Sequence, residues 1–337
     1  MNEPKFLVVR LGSLGDIVHT FPAVAALRES FPSGKLVWLT HPRWEELVAA
    51  AGLADEIWEI ETRASPSIRM TVQRIREERF STAIDYQGLW KSATIPFLAR
   101  VPRRIGFASG SVREFGVPLL YSERVEAIAR HVADKNGQLS VKAGAARPTG
   151  HFSLSVPHDA RTKVAAALKD NGIDKYVVLS PGGGWVSKCW PPERFGELAR
   201  RLFGEFGLRS VVNFGPGEEW LVARVVERAG AAAAFPHSGN FGQLMAVLQS
   251  AECVVAGDSG PMHLADGLGR RVIAIFGPTD PVRNGPYLGM HREGRAVVLR
   301  AENVESTYKR EGSPHPSLFK ITVEDVLAAM RLLQVIS

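Results

Sequence analysis

Short apolar runs alternate with amphipathic stretches along the chain. Lys5-Phe6-Leu7-Val8-Val9-Arg10 is too brief for a helix and reads as a strand. After Leu11-Gly12-Ser13-Leu14-Gly15-Asp16, the residues Ile17, Phe21, Val24 and Leu27 recur at helical spacing. Proline cannot donate a helix-interior hydrogen bond, so Pro22 means that the helix starts near Thr20 or has a kinked first turn at Asp16. Leu36 to Thr40 is the next strand, Trp44 to Ala51 a helix, and Glu56 to Ile60 a strand. A basic helix from Ile68 to Arg79 leads to the strand Thr82 to Asp85, which opens into Tyr86-Gln87-Gly88-Leu89-Trp90-Lys91-Ser92. Residues 102–118, rich in Arg, Gly and Pro, read as loop, and a helix containing His131 to Asn136 runs to about Lys142.

Gly144, Pro148, Gly150 and Pro157 interrupt this rhythm and predict a linker over about 144–174, including a helix from Ala160 to Asn171. The alternation then restarts. Tyr176 to Ser180 is a strand, followed by Pro181-Gly182-Gly183-Gly184-Trp185-Val186-Ser187-Lys188-Cys189-Trp190-Pro191-Pro192 and a helix from Glu193 to Phe206. Ser210 to Phe214 is a strand and Gln243 to Ser250 a helix, while the Ala229 to Ala234 patch reads as a helix end. The apolar run Ala251 to Ala256 enters Gly257-Asp258-Ser259-Gly260-Pro261-Met262-His263, a strand, a glycine-rich turn and a helix start. The strand Val272 to Phe276 ends in Gly277-Pro278-Thr279-Asp280-Pro281. Strands alternating with helices build largely parallel sheets, whose ligands bind outside the carboxyl ends of the strands. The predicted fold class is therefore α/β, with two doubly wound Rossmann-like domains facing across a cleft. The expected domains are 1–158 and 174–318. Residues 319–337 carry a last helix, Val323 to Gln334 with Thr322 as N-cap, expected to pack back on the first domain.

Composition narrows the class. With 45% hydrophobic and 23% charged residues the chain is ordinary for a globular protein. No apolar run approaches the roughly 20 residues that span a bilayer. Met1-Asn2-Glu3-Pro4-Lys5 leads straight into a strand, so no signal peptide is expected. Cys189 and Cys253 are not spaced as a metal pair, and their scarcity fits a reducing cytoplasm. A net charge of +6 points to an anionic partner. Regularly spaced basic helices and aromatic-basic interleaving are missing, which argues against nucleic acid.

Five segments then stand in a telling order: Arg10-Leu11-Gly12-Ser13-Leu14-Gly15-Asp16-Ile17-Val18-His19-Thr20; Ile84-Asp85-Tyr86-Gln87-Gly88-Leu89-Trp90-Lys91-Ser92-Ala93; Lys188-Cys189-Trp190-Pro191; Gly257-Asp258-Ser259-Gly260-Pro261-Met262-His263-Leu264; and Phe276-Gly277-Pro278-Thr279-Asp280-Pro281. With them the chain resembles, over nearly its full length, the ADP-heptose:lipopolysaccharide heptosyltransferases, inverting glycosyltransferases of the GT-B fold. The Gln-Gly-Leu-x-Lys-Ser segment favours the heptosyltransferase I branch. The resemblance implies an ADP-heptose donor held by the second domain, and a Kdo-lipid A acceptor docked on the first. It also implies a cytoplasmic enzyme, peripheral at the inner leaflet of the inner membrane, with no cofactor and no obligatory metal.

By the same resemblance, Asp16 matches the catalytic base and Lys188 the lysine that holds the donor phosphates. Asp258 is assigned to the heptose hydroxyls, the amides of Ser259 and Gly260 to the phosphates, His263 to a further contact and Glu219 to the adenosine ribose. Gly183 and Gly184 stand where relatives can carry phosphate-binding hydroxyls, so here only backbone N–H groups serve. Arg10, Ser13, Gln87, Arg113 and Lys135 are candidates for the acidic acceptor, because arginine forks suit carboxylates and phosphates. Ser313-Pro314-His315-Pro316-Ser317 lacks the cysteine some relatives carry there. The alternatives are a GT-B transferase using another nucleotide sugar or a later core acceptor, a nucleotide-sugar epimerase, and a non-catalytic nucleotide-sugar binder.

Overall fold

The computed structural model describes residues 3–291 and 294–337; Met1 and Asn2, part of the predicted direct entry into the first strand, lie outside them. The chain forms two compact units that divide between Ser155 and Val156.

In the first unit the strands are β1 (Lys5–Val9), β2 (Lys35–Thr40), β3 (Glu56–Glu59), β4 (Thr82–Asp85), β5 (Arg103–Phe107) and β6 (Glu123–Val125). They form one sheet in the order β3-β2-β1-β4-β5-β6, with every neighbouring pair parallel. The order reverses at β1, which pairs with both β2 and β4, and Val9 stands opposite Asp85 at the carboxyl ends. Leu7, Val9, Val37, Leu39 and Ala83 are sealed in a core on this sheet. Each of these Leu and Val side chains contributes roughly 1.5–3 kcal/mol when fully buried. Pro22 is accommodated by division: a short helix, Leu14–Val18, precedes a second, Phe21–Ser30, with the proline in its first turn.

The predicted loop over 102–118 is only partly a loop, because its start forms β5. Gly106 has no side chain there because the Tyr121 ring fills the space; a Cβ would lie 2.3 Å from it. This close approach makes an Arg- and Gly-rich segment a strand.

The second unit repeats the plan with β7 (Tyr176–Ser180), β8 (Arg209–Asn213), β9 (Ala234–His237), β10 (Cys253–Gly257), β11 (Val272–Phe276) and β12 (Ala296–Arg300). Its all-parallel order is β12-β11-β10-β7-β8-β9, so the switch lies between β7 and β10. The edge strands β9 and β12 and the helix Glu219–Ala229 are additional to the predicted elements, although Leu221, Val222 and Val225 recur at helical spacing on the helix's buried face. β9 is four residues long and contains Pro236, which a sheet tolerates only at its edge. Helix Glu219–Ala229 lies on helix Pro192–Phe206, where Gly196 admits the partner backbone; a Cβ would lie 2.7 Å from the Val225 carbonyl oxygen.

Helix His158–Asp170, expected in a linker, belongs to the second unit. The last helix, Val323–Leu332, was expected against the first domain but is built into the core of the second. Val326, Leu327 and Met330 are fully buried there with Trp190 and Phe195, and Glu324 pairs with Arg201. Thr322 and Asp325 cap its start, Asp325 Oδ2 accepting the Thr322 N–H at 2.7 Å. No helix among the described residues is long and apolar enough to cross a membrane.

Candidate functional site

Both switch points carry the loops that hold the candidate residues. In the second unit, the loop after β7 passes through Gly182, Gly183 and Gly184 into a 3₁₀ turn, Val186–Lys188. Trp190 then fixes the loop, its indole N–H donating to the Ile321 carbonyl at 3.0 Å. The loop backbone packs directly on the turn after β10, where a Cβ on Gly257 would stand 3.0 Å from the Lys188 carbonyl oxygen. This contact sets Lys188 beside Asp258. The ammonium donates to Asp258 Oδ2 at 2.6 Å, and His263 Nε2 lies 3.5 Å from Oδ1. Lys188 is 9% exposed and Asp258 and His263 are 6% exposed. Burial alone would raise the Asp258 carboxyl, but the His263 hydrogen bond and the Lys188 charge outweigh it and hold the group down to about 2. The Lys188 ammonium also lies over the Trp185 ring, 3.9 Å from its centroid, and Arg310 stacks on the same ring at 5.0 Å.

Around this pair the sheet leaves polar groups unused. The buried hydroxyls of Ser180, Ser259 and Thr279 have no hydrogen-bond partner among the described residues. They sit at the carboxyl ends of β7, β10 and β11, three neighbouring strands. Ser259 stands at the N-cap of helix Gly260–Gly267, yet its side chain makes no capping bond. Buried hydroxyls normally find partners. Unused donors at a helix start make a seat for an anion. Ser180 and Thr279 went unseen in the sequence; the available signal was their place at the ends of central parallel strands. Gly184 is exposed with open space around its Cα, whereas Gly183 lies against Cys189 Sγ. Glu219 is exposed, and Oε1 accepts the Gly217 N–H at 3.2 Å. Its neighbour Glu218 turns inward instead, accepting the Gly215 N–H at 2.8 Å and lying against Gly182. Among the described residues no group of three or more His, Cys, Asp or Glu is arranged to hold a metal ion.

In the first unit, the loop after β1 turns through Gly12 at φ 146°, where a side chain would also meet the Trp44 indole. Asp16 follows as the third residue of helix Leu14–Val18, so it is not the N-cap. Its Oδ2 accepts from the Ser13 hydroxyl at 3.0 Å and the Ser13 N–H at 3.2 Å. Its Oδ1 pairs with Arg10 at 2.7 Å. The Asp16 side chain is 44% exposed above an Arg10 side chain that is 7% exposed. Arg10 also donates to the Tyr86 carbonyl, so its fork is engaged within the protein. Gln87 joins the group, its Oε1 accepting the Leu11 N–H at 2.7 Å. The Gln87 loop turns on Asp85, fully buried, which accepts from the Gln87 and Gly88 N–H groups, the Ser92 hydroxyl and the Tyr121 hydroxyl. Burial pushes the Asp85 carboxyl up against those four bonds. Arg10, Ser13, Asp16 and Gln87 thus form one group. Arg113 is not in it, being exposed on the segment after β5. Lys135 lies in the first turn of helix Val132–Ala143.

The sequence profile of Glycosyltransferase family 9 (heptosyltransferase) matches residues 68–312. The chain belongs to this family. It is a glycosyltransferase with two Rossmann-like units. It is 29% identical over 299 residues to Lipopolysaccharide heptosyltransferase 1 of Pseudomonas aeruginosa, covering 84% of this chain and 81% of that protein. It is 28% identical over 276 residues to Lipopolysaccharide heptosyltransferase 2 of Escherichia coli, covering 77% of each. Among solved structures, E. coli ADP-heptose lps heptosyltransferase II superimposes with a TM-score of 0.80 at 20% identity, covering 98% of both chains. E. coli heptosyltransferase WaaC with ADP gives 0.77 at 24% identity, covering 98% of this chain and 99% of that one. These two structural likenesses speak for the fold.

Proposed function

We propose that this family 9 glycosyltransferase moves heptose from ADP-heptose to the Kdo of Kdo-lipid A, with inversion at the anomeric carbon. The observation that carries the reading is the buried Lys188–Asp258 pair at the β7/β10 switch, beside the unpartnered hydroxyls of Ser180, Ser259 and Thr279. That group offers a cation, hydroxyls and a helix start to a diphosphate. Structures of E. coli WaaC with ADP and with ADP-2-deoxy-2-fluoro heptose support the choice of donor. The relatives named heptosyltransferase 1 support the first core position as acceptor.

In the proposed step the acceptor hydroxyl gives its proton to Asp16 as its oxygen bonds to the anomeric carbon. The bond from that carbon to the phosphate oxygen breaks, and its electron pair leaves with ADP. A positioned base contributes roughly 10²–10⁴ in rate. Lys188 meets the charge that grows on the leaving diphosphate, and the Ser259 and Gly260 amides add to it. Asp258 was expected on the heptose hydroxyls; because Lys188 and His263 engage both its oxygens, its proposed role is instead to hold these two in place. Glu219 serves the ribose, while Ser13, Gln87, Arg113 and Lys135 serve the acidic acceptor. The enzyme works in the cytoplasm at the inner leaflet, where a lipid-anchored acceptor is presented.

The test is incubation of the purified chain with ADP-heptose and Kdo-lipid A, following ADP release and the mass of the lipid. One added heptose per acceptor is expected. Transfer only to an already heptosylated core would move the enzyme to a later position. Conversion of a nucleotide sugar without acceptor would make it an epimerase.

A further inference from the structure

The segment after β12, residues 301–315, has no helix or strand of its own, yet it is tied across the loops that follow β7 and β11. Arg300 starts it, donating to the Val304 carbonyl at 3.1 Å and to the Ser306 hydroxyl at 2.9 Å. The Thr307 N–H donates to the Pro278 carbonyl at 2.8 Å, on the loop after β11. Ser187, buried beside Lys188, holds the segment twice. Its hydroxyl donates to the Lys309 carbonyl at 3.4 Å, and its carbonyl accepts the His315 N–H at 3.3 Å. Arg283 stacks on the Tyr308 ring at 5.1 Å. These contacts bring Arg310 onto the Trp185 ring at 5.0 Å, the same ring that the Lys188 ammonium meets at 3.9 Å. The two cations are therefore no farther apart than those two distances together. Arginine suits such a place, because its flat guanidinium stacks on an aromatic face and still offers N–H groups to an anion.

The two cations differ in what they already bind. Lys188 is paired with Asp258 at 2.6 Å, so together they bring little net charge to the site. Arg310 is exposed and forms no ion pair among the described residues, although Glu311 is its neighbour in the chain. An anion seated on the hydroxyls and the helix start beside that pair gains most from a charge that no carboxylate has neutralised.

We propose that Arg310, held on Trp185 by the 301–315 segment, is a second cation for the donor diphosphate. Its fork can take two phosphate oxygens at once, whereas Lys188 acts as a point charge fixed by Asp258. The inference rests on the donor site proposed above and adds to it a residue from outside the glycine-rich loops. Trp185 then serves as the platform that sets both cations on one seat.

The test is calorimetry of the full chain with ADP and with adenosine, in the parent, in Arg310→Gln and in Lys309→Gln. The parent should prefer ADP. Arg310→Gln should weaken ADP roughly tenfold or more, as expected for a lost hydrogen bond to a charged group, and should leave adenosine binding as it was. Lys309→Gln removes the same charge one residue away and should cost no more than about twofold, because solvent and salt screen an exposed charge that makes no contact. An undiminished preference for ADP in Arg310→Gln would overturn the proposal. Equal losses of ADP in the two variants would also overturn it, by showing a diffuse field in place of a contact. Equal weakening of ADP and adenosine in Arg310→Gln would do the same, by giving Arg310 to the fold of its segment. A parent that binds ADP no better than adenosine would remove the diphosphate seat itself, and with it both the donor reading and this proposal.

Discussion

Each half of the chain sets a carboxylate beside a cation at the switch point of a parallel sheet, and the two carboxylates differ in depth. In the first unit the cation is buried and the acid exposed: Arg10 lies at 7% beneath Asp16 at 44%. In the second both are buried, Lys188 at 11% and Asp258 at 6%. A carboxylate standing in water over a fixed guanidinium has room to meet a substrate hydroxyl and take its proton. A carboxylate sealed against an ammonium and held near 2 stays ionised at neutral pH, so it orients its neighbours instead. The same pairing of a cation with an aspartate thus suits proton transfer in one unit and charge placement in the other.

The sharpest break in this comparison is Asp16→Asn. The amide keeps the shape but takes no proton, so kcat should fall by roughly 10²–10⁴. Calorimetry with ADP should show affinity unchanged, because Asp16 belongs to the first unit and Lys188 to the second. Normal turnover in Asp16→Asn would remove the base.

Lys188→Met attacks the other pair, and here activity and stability should both suffer. With its ammonium gone Asp258 is a buried charge short of its partner, a change that costs roughly 3–5 kcal/mol of folding free energy. The loss of a cation at the leaving group should lower kcat by roughly 10²–10³. The double variant Lys188→Met, Asp258→Asn separates the two, since it should recover much of the stability in urea unfolding and none of the rate. Recovered rate in the double variant would show that Lys188 serves only to neutralise Asp258.

The depth difference also has a pH signature. Asp258 is held at about 2 against an ordinary value of 3.8, so the folded state favours its ionised form. Its contribution is complete above about pH 4, shrinks as pH falls toward 2, and is gone below. By linkage that is about 2 kcal/mol lost over this window. Urea unfolding of the parent against the double variant should show this loss in the parent alone. Parallel pH curves would mean that the pair contributes nothing to acid stability.

Much of this was legible in the sequence, and the limits have physical causes. Central strands of a parallel sheet are buried on both faces and read as continuous apolar runs, which is why β1, β7, β10 and β11 stand out. Other strands lack that signal: β5, between β4 and β6, hides among arginines because Tyr121 covers Gly106, and β9, at the edge, carries a proline. Asp16, Lys188 and Asp258 sit in glycine-rich or adjoining motifs, and the resemblance those motifs carry makes them candidates. Arg10 could be named too, but nothing in the one-dimensional pattern says that its fork turns inward to Asp16 and Tyr86. The hydroxyls of Ser180 and Thr279 become visible only when strand order brings their strand ends side by side.

The smallest effect concerns two adjacent glutamates after β8, one turned inward and one outward. Glu218 already accepts the Gly215 N–H at 2.8 Å and lies against Gly182, so its carboxylate is occupied in joining two loops. Glu219 is exposed and accepts the Gly217 N–H only at 3.2 Å, which leaves it able to receive a ribose hydroxyl. Glu219→Gln should therefore weaken ADP roughly tenfold, the lower end of the worth of one hydrogen bond to a charged acceptor, about 1.5 kcal/mol. Its melting temperature should not move. Glu218→Gln should do the reverse, lowering the melting temperature with a smaller change in ADP affinity. If calorimetry instead finds the larger loss of affinity in Glu218→Gln, the ribose contact belongs to the inward glutamate, and the Gly182–Glu218 packing is part of the nucleotide site.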